Sequence, residues 1–181
     1  MLDRCRRRAI EQDLDVVVHH KRMELLDLPR RYRTIFLAGP TFNLLPDDAL
    51  ATGALLCIRA HLDEGGSALI PLFVPPATPP EEIGRVREVV EPDGSVIRCS
   101  AIAEVRDEVD RRQETMLRYE RVRGDTSTVV DRAWILHWYS QDRFRALAAS
   151  VGLATVMVLD PEGGPAAETA DALAFWLQVA P

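Results

Sequence analysis

The stretch that decides the fold reads YRTIFLAGPTFNLL and runs from Tyr32 to Leu45. Its first half contains the uncharged apolar run Thr34–Ala38, which is typical of a central β-strand covered on both faces. Gly39 and Pro40 follow at once and predict that the strand ends there.

A helix and a second strand follow this stretch. Asp47–Asp48 predicts the start of a helix with regularly spaced leucines, and Gly65–Gly66 predicts its end. The next apolar run, Ala68–Val74, predicts a second strand. Strand, loop, helix, turn and strand in this order predict a right-handed βαβ unit of an open parallel sheet. Because such sheets bind ligands at the carboxyl ends of their strands, the loop Gly39–Leu45 is the first candidate site.

The rest of the chain predicts helices and strands on either side of this unit. They are, in chain order, a helix at Met1–Gln12, a strand at Leu14–His19, a helix at Glu81–Val90, and strands at Thr155–Leu159 and Leu173–Val179. Between Val96 and Tyr139, apolar residues alternate with polar ones, which predicts three antiparallel strands inserted into the α/β sheet. Ser140 is expected to cap the helix that follows.

Length, charge and cysteine content narrow the class of protein. A chain of 181 residues with 47% apolar residues predicts one folded domain. The net charge of -6 and the pI near 5.3 argue against a nucleic-acid partner. We see no run long enough to span a bilayer and no apolar signal core. The three cysteines are far apart and form no metal motif or disulfide framework, which favours the cytoplasm and predicts no metal.

The order and spacing of these segments resemble a class I S-adenosylmethionine-dependent methyltransferase, of the small-molecule kind with an antiparallel insert. The segments that carry the resemblance are Arg22–Glu24 with Leu28–Pro29, Tyr32–Leu45, Arg59–Leu69, Arg118–Arg121, Trp138–Tyr139 and Val151–Leu153. The resemblance implies a Rossmann-like open, mostly parallel sheet with an inserted antiparallel β-layer at residues 96–139. It also implies S-adenosylmethionine as the cofactor and methyl transfer to a small-molecule acceptor.

Two features of that family are absent from the sequence. It contains no G-x-G-x-G loop, and the position before Met23, often an acid in the family, is Arg22. The resemblance therefore implies that residues 1–181 form a single methyltransferase-like domain, truncated at its amino end and lacking its first strands. Methyl transfer is then expected to be incomplete in this chain as it stands. The strand at Thr34–Ala38 would have an open apolar edge, available to a homodimer or a partner chain.

The resemblance also implies roles for individual residues. Those expected to bind the cofactor are Met23, Glu24, Ala38, Gly39, Thr41 and Phe42; those expected to line the acceptor pocket are Tyr119, Trp134 and Trp138. His137 and Tyr139 are the candidates for taking a proton from the acceptor, with Glu120 as a third. Structural roles stay open beside these: a strand-stopping turn for Gly39, core packing for Met23 and the aromatic residues, and an ordinary strand position for His137.

Other functions also stay open. A non-catalytic interaction domain, or one half of a split methyltransferase, would use the exposed strand edge and the arginine-rich first helix to bind a partner. A nicotinamide-dependent dehydrogenase shares the sheet class. Its G-x-G-x-x-G motif is equally missing, however, and the antiparallel insert fits it badly.

Overall fold

A computed structural model of the protein describes residues 2–180. Its helices and strands are α1 (Leu2–Glu11), β1 (Tyr32–Phe36), α2 (Asp48–His61), β2 (Leu62–Phe73), β3 (Arg87–Val90), β4 (Val96–Asp107), β5 (Arg112–Arg123), β6 (Thr126–His137), α3 (Gln141–Ser150), β7 (Leu153–Leu159) and β8 (Ala172–Val179). Short 3-10 turns lie at Met23–Leu25, Thr41–Leu44 and Pro80–Glu82. The eight strands form two separate sheets, with β1, β2, β7 and β8 in the first and β3 to β6 in the second.

The first sheet has the order β1-β2-β8-β7. Strand β1 pairs with β2 in parallel, which confirms the predicted βαβ unit, and β8 runs antiparallel to both of its neighbours. Strands β1, β2 and β7 therefore share one direction, but only the β1–β2 pair is parallel. The sheet is mixed, and the predicted α/β class is confirmed.

Strand β1 differs from its prediction as a covered central strand. It is the edge of the first sheet, and the side chain of Phe36 is 68% exposed. The reason is topological, because among residues 2–180 only β2 pairs with β1. The open apolar edge expected from the sequence is thus present in the part of the chain that the structure describes.

Two predicted elements are wrong. The segment Leu14–His19 forms no strand, because its β-branched residues favour an extended chain but find no strand to pair with. The helix predicted at Glu81–Val90 is a 3-10 turn followed by strand β3, since Gly84 has a φ of +83° and β3 pairs with β4. The second sheet therefore has four strands in the order β3-β4-β5-β6, and three of them are the strands predicted between Val96 and Tyr139.

Capping and close packing explain why the elements begin where they do. The Asp47 side chain accepts a hydrogen bond of 2.8 Å from the Leu50 amide at the start of α2, and Ser140 caps α3, as predicted. At Gly66 a Cβ atom would lie 2.9 Å from the Asp63 carbonyl oxygen and 3.1 Å from that of Tyr32. Glycine is therefore needed for β1 and β2 to approach each other there.

The main core lies between the first sheet and helices α2 and α3. Its central aromatic residues are Phe42, Tyr139, Phe144 and Phe175, and the rings of Phe42 and Phe144 meet edge to face at 5.4 Å. Phe42 belongs to the turn after β1 and Tyr139 to the segment after β6. The same core therefore fixes the position of the loop after β1 relative to the end of the second sheet.

Candidate functional site

The loop after β1 lies at the carboxyl end of the first sheet. The Leu37 amide still donates a hydrogen bond of 3.1 Å to the Leu69 carbonyl, and the chain then turns away from β2. Gly39 adopts a φ of +72°, with no atom within 4 Å of the place where a Cβ would be. Ala38 and Gly39 are exposed, so this loop presents its backbone and small side chains to solvent.

The other residues predicted to bind a cofactor are more deeply placed. Met23 packs against the main core, and the Glu24 side chain is 6% exposed and contacts the Arg22 guanidinium. Phe42 is fully buried, so its side chain can support the loop only from the core. Thr41 is half-buried and donates its amide hydrogen to the Gly39 carbonyl over 2.8 Å. Of the six residues, Ala38 and Gly39 are the most open to a ligand.

Asn43 joins this loop to both sheets. Its side chain is fully buried, and its Nδ2 donates hydrogen bonds of 2.9 Å to the carbonyl oxygens of Phe73 and His137. Its Oδ1 accepts a hydrogen bond of 3.2 Å from the Phe73 amide. One amide therefore binds the ends of β2 and β6 to the turn after β1. Asn43 was not among the predicted site residues, although an amide inside an otherwise apolar stretch is a signal of a buried hydrogen-bonding site.

His137 and Tyr139 lie side by side, with ring centroids 4.8 Å apart. Next to them, Arg111 Nη2 donates to the two Asp48 carboxylate oxygens at 2.9 and 3.0 Å and lies 3.2 Å from His137 Nε2. Asp48 begins α2, whereas Arg111 belongs to the turn between β4 and β5. The ion pair thus connects the second sheet to the first helix of the core. Neither Asp48 nor Arg111 was among the predicted site residues.

The electrostatics of this cluster favour neutral rings. Burial lowers the pKa of the His137 imidazole, although the Asp48 carboxylate 3.7 Å away opposes the shift. Burial also raises the pKa of the Tyr139 phenol, and the nearby Asp48 charge adds to this rise. The Tyr139 hydroxyl lies near Asp48 without the geometry of a hydrogen bond. Arg111, in turn, helps to hold the pKa of Asp48 below its ordinary value despite partial burial.

A polar cleft of about 470 Å³ opens beside this cluster. Its lining residues are Pro46, Asp47, Asp48, Val109, Asp110, Arg111, Arg112, His137 and Arg143. The cleft carries arginines and aspartates in equal number, so it has no marked preference for the sign of a ligand's charge. Among residues 2–180, no group of three or more His, Cys, Asp or Glu side chains is arranged to hold a metal ion.

A second concave region, the insert cavity, lies on the second sheet and has a volume of about 210 Å³. It is lined by Thr78, Glu82, Arg85, Arg87, Cys99, Ser100, Ala101, Gln113, Thr115, Leu117, Trp134 and Leu136. Of the three residues predicted to line the acceptor pocket, Trp134 lines this cavity. Trp138 is buried under the Arg106 guanidinium, 4.2 Å from its ring, and Tyr119 lies opposite Cys99 in the strand register.

The predicted catalytic and acceptor residues do not meet in one place. Side chains alternate along β6, so His137 lies on the opposite face of the second sheet from Trp134 and Leu136. Glu120 lies far from His137 along the second sheet. It is eight positions along β5 from Arg112, the register partner of His137, which corresponds to about 27 Å. Its carboxylate is hydrogen bonded to Ser127 and Arg98.

Comparison with known proteins identifies the class of fold. No family model matches the chain, and no curated protein matches its sequence. Among solved structures, an S-adenosylmethionine-dependent methyltransferase from Clostridium acetobutylicum is similar, with a TM-score of 0.76 and 11% identity over 99% of this chain and 71% of the other. The chain therefore has the class I fold of S-adenosylmethionine-dependent methyltransferases.

Two further structures agree with this fold. The CcbJ methyltransferase from Streptomyces caelestis gives a TM-score of 0.71 and 17% identity over 99% of this chain and 71% of the other. The sugar N-methyltransferase KedS8 from a Streptoalloteichus species gives a TM-score of 0.67 and 19% identity over 96% of this chain and 66% of the other. At these identities the comparisons show the fold alone. The structure also contains, within residues 2–180, no helix that is long and apolar enough to cross a membrane.

Proposed function

We propose that this chain serves S-adenosylmethionine-dependent methyl transfer to a small-molecule acceptor. The observation that carries the proposal is that nearly the whole chain matches the fold of solved S-adenosylmethionine-dependent methyltransferases. Such a cofactor supplies a methyl group on a positively charged sulfur, which a nucleophile displaces in line. The protein's main task in that reaction is to position the two reactants.

The loop after β1 fits a cofactor of this kind. Ala38 and Gly39 leave the loop backbone open, and the unfilled space at the Gly39 Cβ position admits a ligand against the main chain. We assign the cofactor contact to Ala38, Gly39 and Thr41, with Met23 and Glu24 beside α2 and Phe42 supporting the loop from the core. Asn43 holds this loop against β2 and β6 through its three hydrogen bonds.

The role of His137 and Tyr139 in proton transfer stays a prediction. Their buried, neutral rings and the neighbouring Asp48–Arg111 ion pair favour a positioning role, in which the cluster sets the orientation of the second sheet relative to α2. Trp134 is the predicted acceptor residue with an open face in a cavity. We therefore place the acceptor on the Trp134 face of the second sheet.

Calorimetric titration of S-adenosylmethionine into the 181-residue chain tests the cofactor loop. We expect weak binding that falls at least about tenfold in Gly39→Val, because a β-branched side chain at positive φ distorts the loop. Gly163→Val is the matched control, since Gly163 has a φ of +88° and equally open space but lies in the turn after β7. Equal binding by Gly39→Val and the wild type would refute the assignment.

A second function rests on a different observation. The open edge of β1, with Phe36 largely exposed, supports one half of a split methyltransferase or an interaction domain that pairs with a partner chain or a second copy. Analytical ultracentrifugation of the wild type and of Phe36→Lys separates self-association from a monomer. This second function is favoured if the wild type binds no S-adenosylmethionine at millimolar concentration yet self-associates through this edge.

A further inference from the structure

The insert cavity combines an apolar floor with a charged mouth. Ala101, Leu117, Trp134 and Leu136, from strands β4 to β6, form the floor. The mouth is formed by Glu82 and Arg85, from the segment that connects β2 to β3, and by Arg87, the first residue of β3. Trp134 is 46% exposed, so one face of its indole is free to stack on a flat ligand.

The charges at the mouth do not cancel. Glu82 contacts Arg85 closely and lies 3.4 Å from Arg87, so two guanidinium groups share a single carboxylate. The side chains of Arg85 and Arg87 are 66% and 81% exposed, which leaves their donors free to turn toward a ligand. One positive charge therefore remains at the entrance to an apolar cavity.

The other carboxylate near this cavity is fully engaged. Glu104 accepts hydrogen bonds from the amide and hydroxyl of Thr78, from Gln113 and from Thr115. Partial burial raises the pKa of Glu104, but these hydrogen bonds and the Arg106 charge outweigh burial and hold the pKa below its ordinary value. Glu104 thus holds the connecting segment in place and is a poor proton acceptor.

We propose that the insert cavity binds the methyl acceptor, and that this acceptor is a small, flat, apolar molecule with one negative charge, such as an aromatic carboxylate or phenolate. This inference rests on the proposed methyl transfer. A cavity of about 210 Å³ accommodates a single aromatic ring with its substituent, since about 150 Å³ suffices for benzene in an engineered protein cavity.

An anionic acceptor also agrees with the lack of a free base among the residues that line the cavity. An oxygen that is already charged forms the new bond to carbon with its own electron pair, while the electrons of the broken C–S bond stay on sulfur. No proton is released, so no side chain has to accept one. His137 and Tyr139, on the far side of the sheet, are then not required for proton transfer.

Saturation-transfer NMR with three probes tests the inference without any cofactor. The probes are benzoate, its neutral analogue benzamide and the cation benzylammonium. We expect benzoate to bind the wild type about fivefold or more tightly than benzamide, and benzylammonium to bind worst. The double variant Arg85→Met with Arg87→Met should remove this preference for the anion while still binding benzamide. Ala101→Leu, which fills the floor, should weaken binding of benzoate and benzamide alike.

Arg118→Met is the matched control. Arg118 follows Leu117 on the same strand but lies on the other face, where it pairs with Asp131, so its loss should leave all three affinities unchanged. Equal affinity for benzoate and benzamide in the wild type, or an equal effect of Arg118→Met and the double variant, would overturn the inference. If the chain binds S-adenosylmethionine but does not prefer benzoate, only the proposed acceptor class is overturned. If it prefers benzoate but does not bind S-adenosylmethionine, only the proposed reaction is overturned.

Discussion

Replacement of Asn43 by aspartate is the sharpest test of how the candidate site is held together. The substitution keeps the size of the side chain and the Oδ1 acceptor for the Phe73 amide, but it removes the Nδ2 donor. The carbonyl oxygens of Phe73 and His137 then face another oxygen in a fully buried place. The two donated hydrogen bonds are lost, and near neutral pH the substitution also places a carboxylate charge in the buried position.

The magnitude follows from the two unsatisfied carbonyl groups. Each buried polar group left without a partner costs about 1–3 kcal/mol, so the two lost donors alone should lower the free energy of unfolding by about 2–6 kcal/mol, and near neutral pH the buried charge adds to this loss. A domain of this size is stable by about 5–15 kcal/mol, so this loss is a large share of its stability. Urea titration followed by circular dichroism measures the loss.

Acid should partly rescue this variant. Burial raises the pKa of the new carboxyl in the folded state, so the folded chain binds more protons than the unfolded chain just above the ordinary pKa of about 3.9. The stability deficit relative to the wild type should therefore shrink as the pH falls toward about 4. A deficit that is constant with pH contradicts this account of the site.

Gln141→Glu provides the control for a buried amide. Gln141 is 8% exposed and donates to a single carbonyl, that of Ala167, while its oxygen accepts from Arg145. The new carboxylate loses one hydrogen bond but gains a charge interaction, so we expect a loss below about 1 kcal/mol. If Asn43→Asp costs no more than Gln141→Glu, Asn43 does not join the two sheets as we infer.

Three other predictions concern the Arg111–Asp48 ion pair, the approach of β1 to β2 at Gly66, and the pKa of His137. Arg111→Met should lower the free energy of unfolding by about 1–3 kcal/mol in urea titration, because it removes both hydrogen bonds to the half-exposed Asp48; unchanged stability would contradict that ion pair. Gly66→Ala should cost about 1–3 kcal/mol, since its Cβ would overlap the backbone of Asp63 and Tyr32; a smaller effect would mean that β1 is free to shift. Because the folded state holds the pKa of His137 below 6.5, wild-type stability should fall as the pH drops below about 6.5, and this slope should be shallower in His137→Gln.

The sequence predicted those parts of the fold that depend on short-range signals. The caps at Asp47 and Ser140, and the apolar runs of β1 and β2, are local features, and the βαβ unit follows from their order. The position of β1 at the sheet edge depends on which strands lie beside it, and no residue of β1 encodes that. Strand β3 was missed because its conformation results from pairing with β4.

In the candidate site, too, the features that depend on short-range signals were predicted and those that depend on tertiary packing were not. The prediction of a site at Gly39 and its loop rests on the strand and the glycine that ends it, and His137 and Tyr139, two residues apart in the chain, lie side by side. Arg111 and Asp48 meet across 63 residues, and Asn43 reaches His137 across 94, so tertiary packing alone brings them together. Strand alternation predicts that Trp134 and His137 lie on opposite faces of the second sheet. The cavity over Trp134, however, also requires Glu82, Arg85 and Arg87, which lie in the stretch Glu81–Val90 that was predicted to be a helix.

The hydrogen bonds of Asn43 hold the two ends of the segment between Phe73 and His137 close together, and this spacing affects how the insert can change in evolution. The chain leaves the first sheet at Phe73, and the second sheet ends at His137. The carbonyl oxygens of these two residues cannot be farther apart than twice 2.9 Å. The segment between Phe73 and His137 therefore has closely spaced ends, and a segment of this kind tolerates insertion and exchange of residues well. Hairpins such as the one at Gly124 can lengthen, shorten or be exchanged, while the first sheet and the loop after β1 keep their shape.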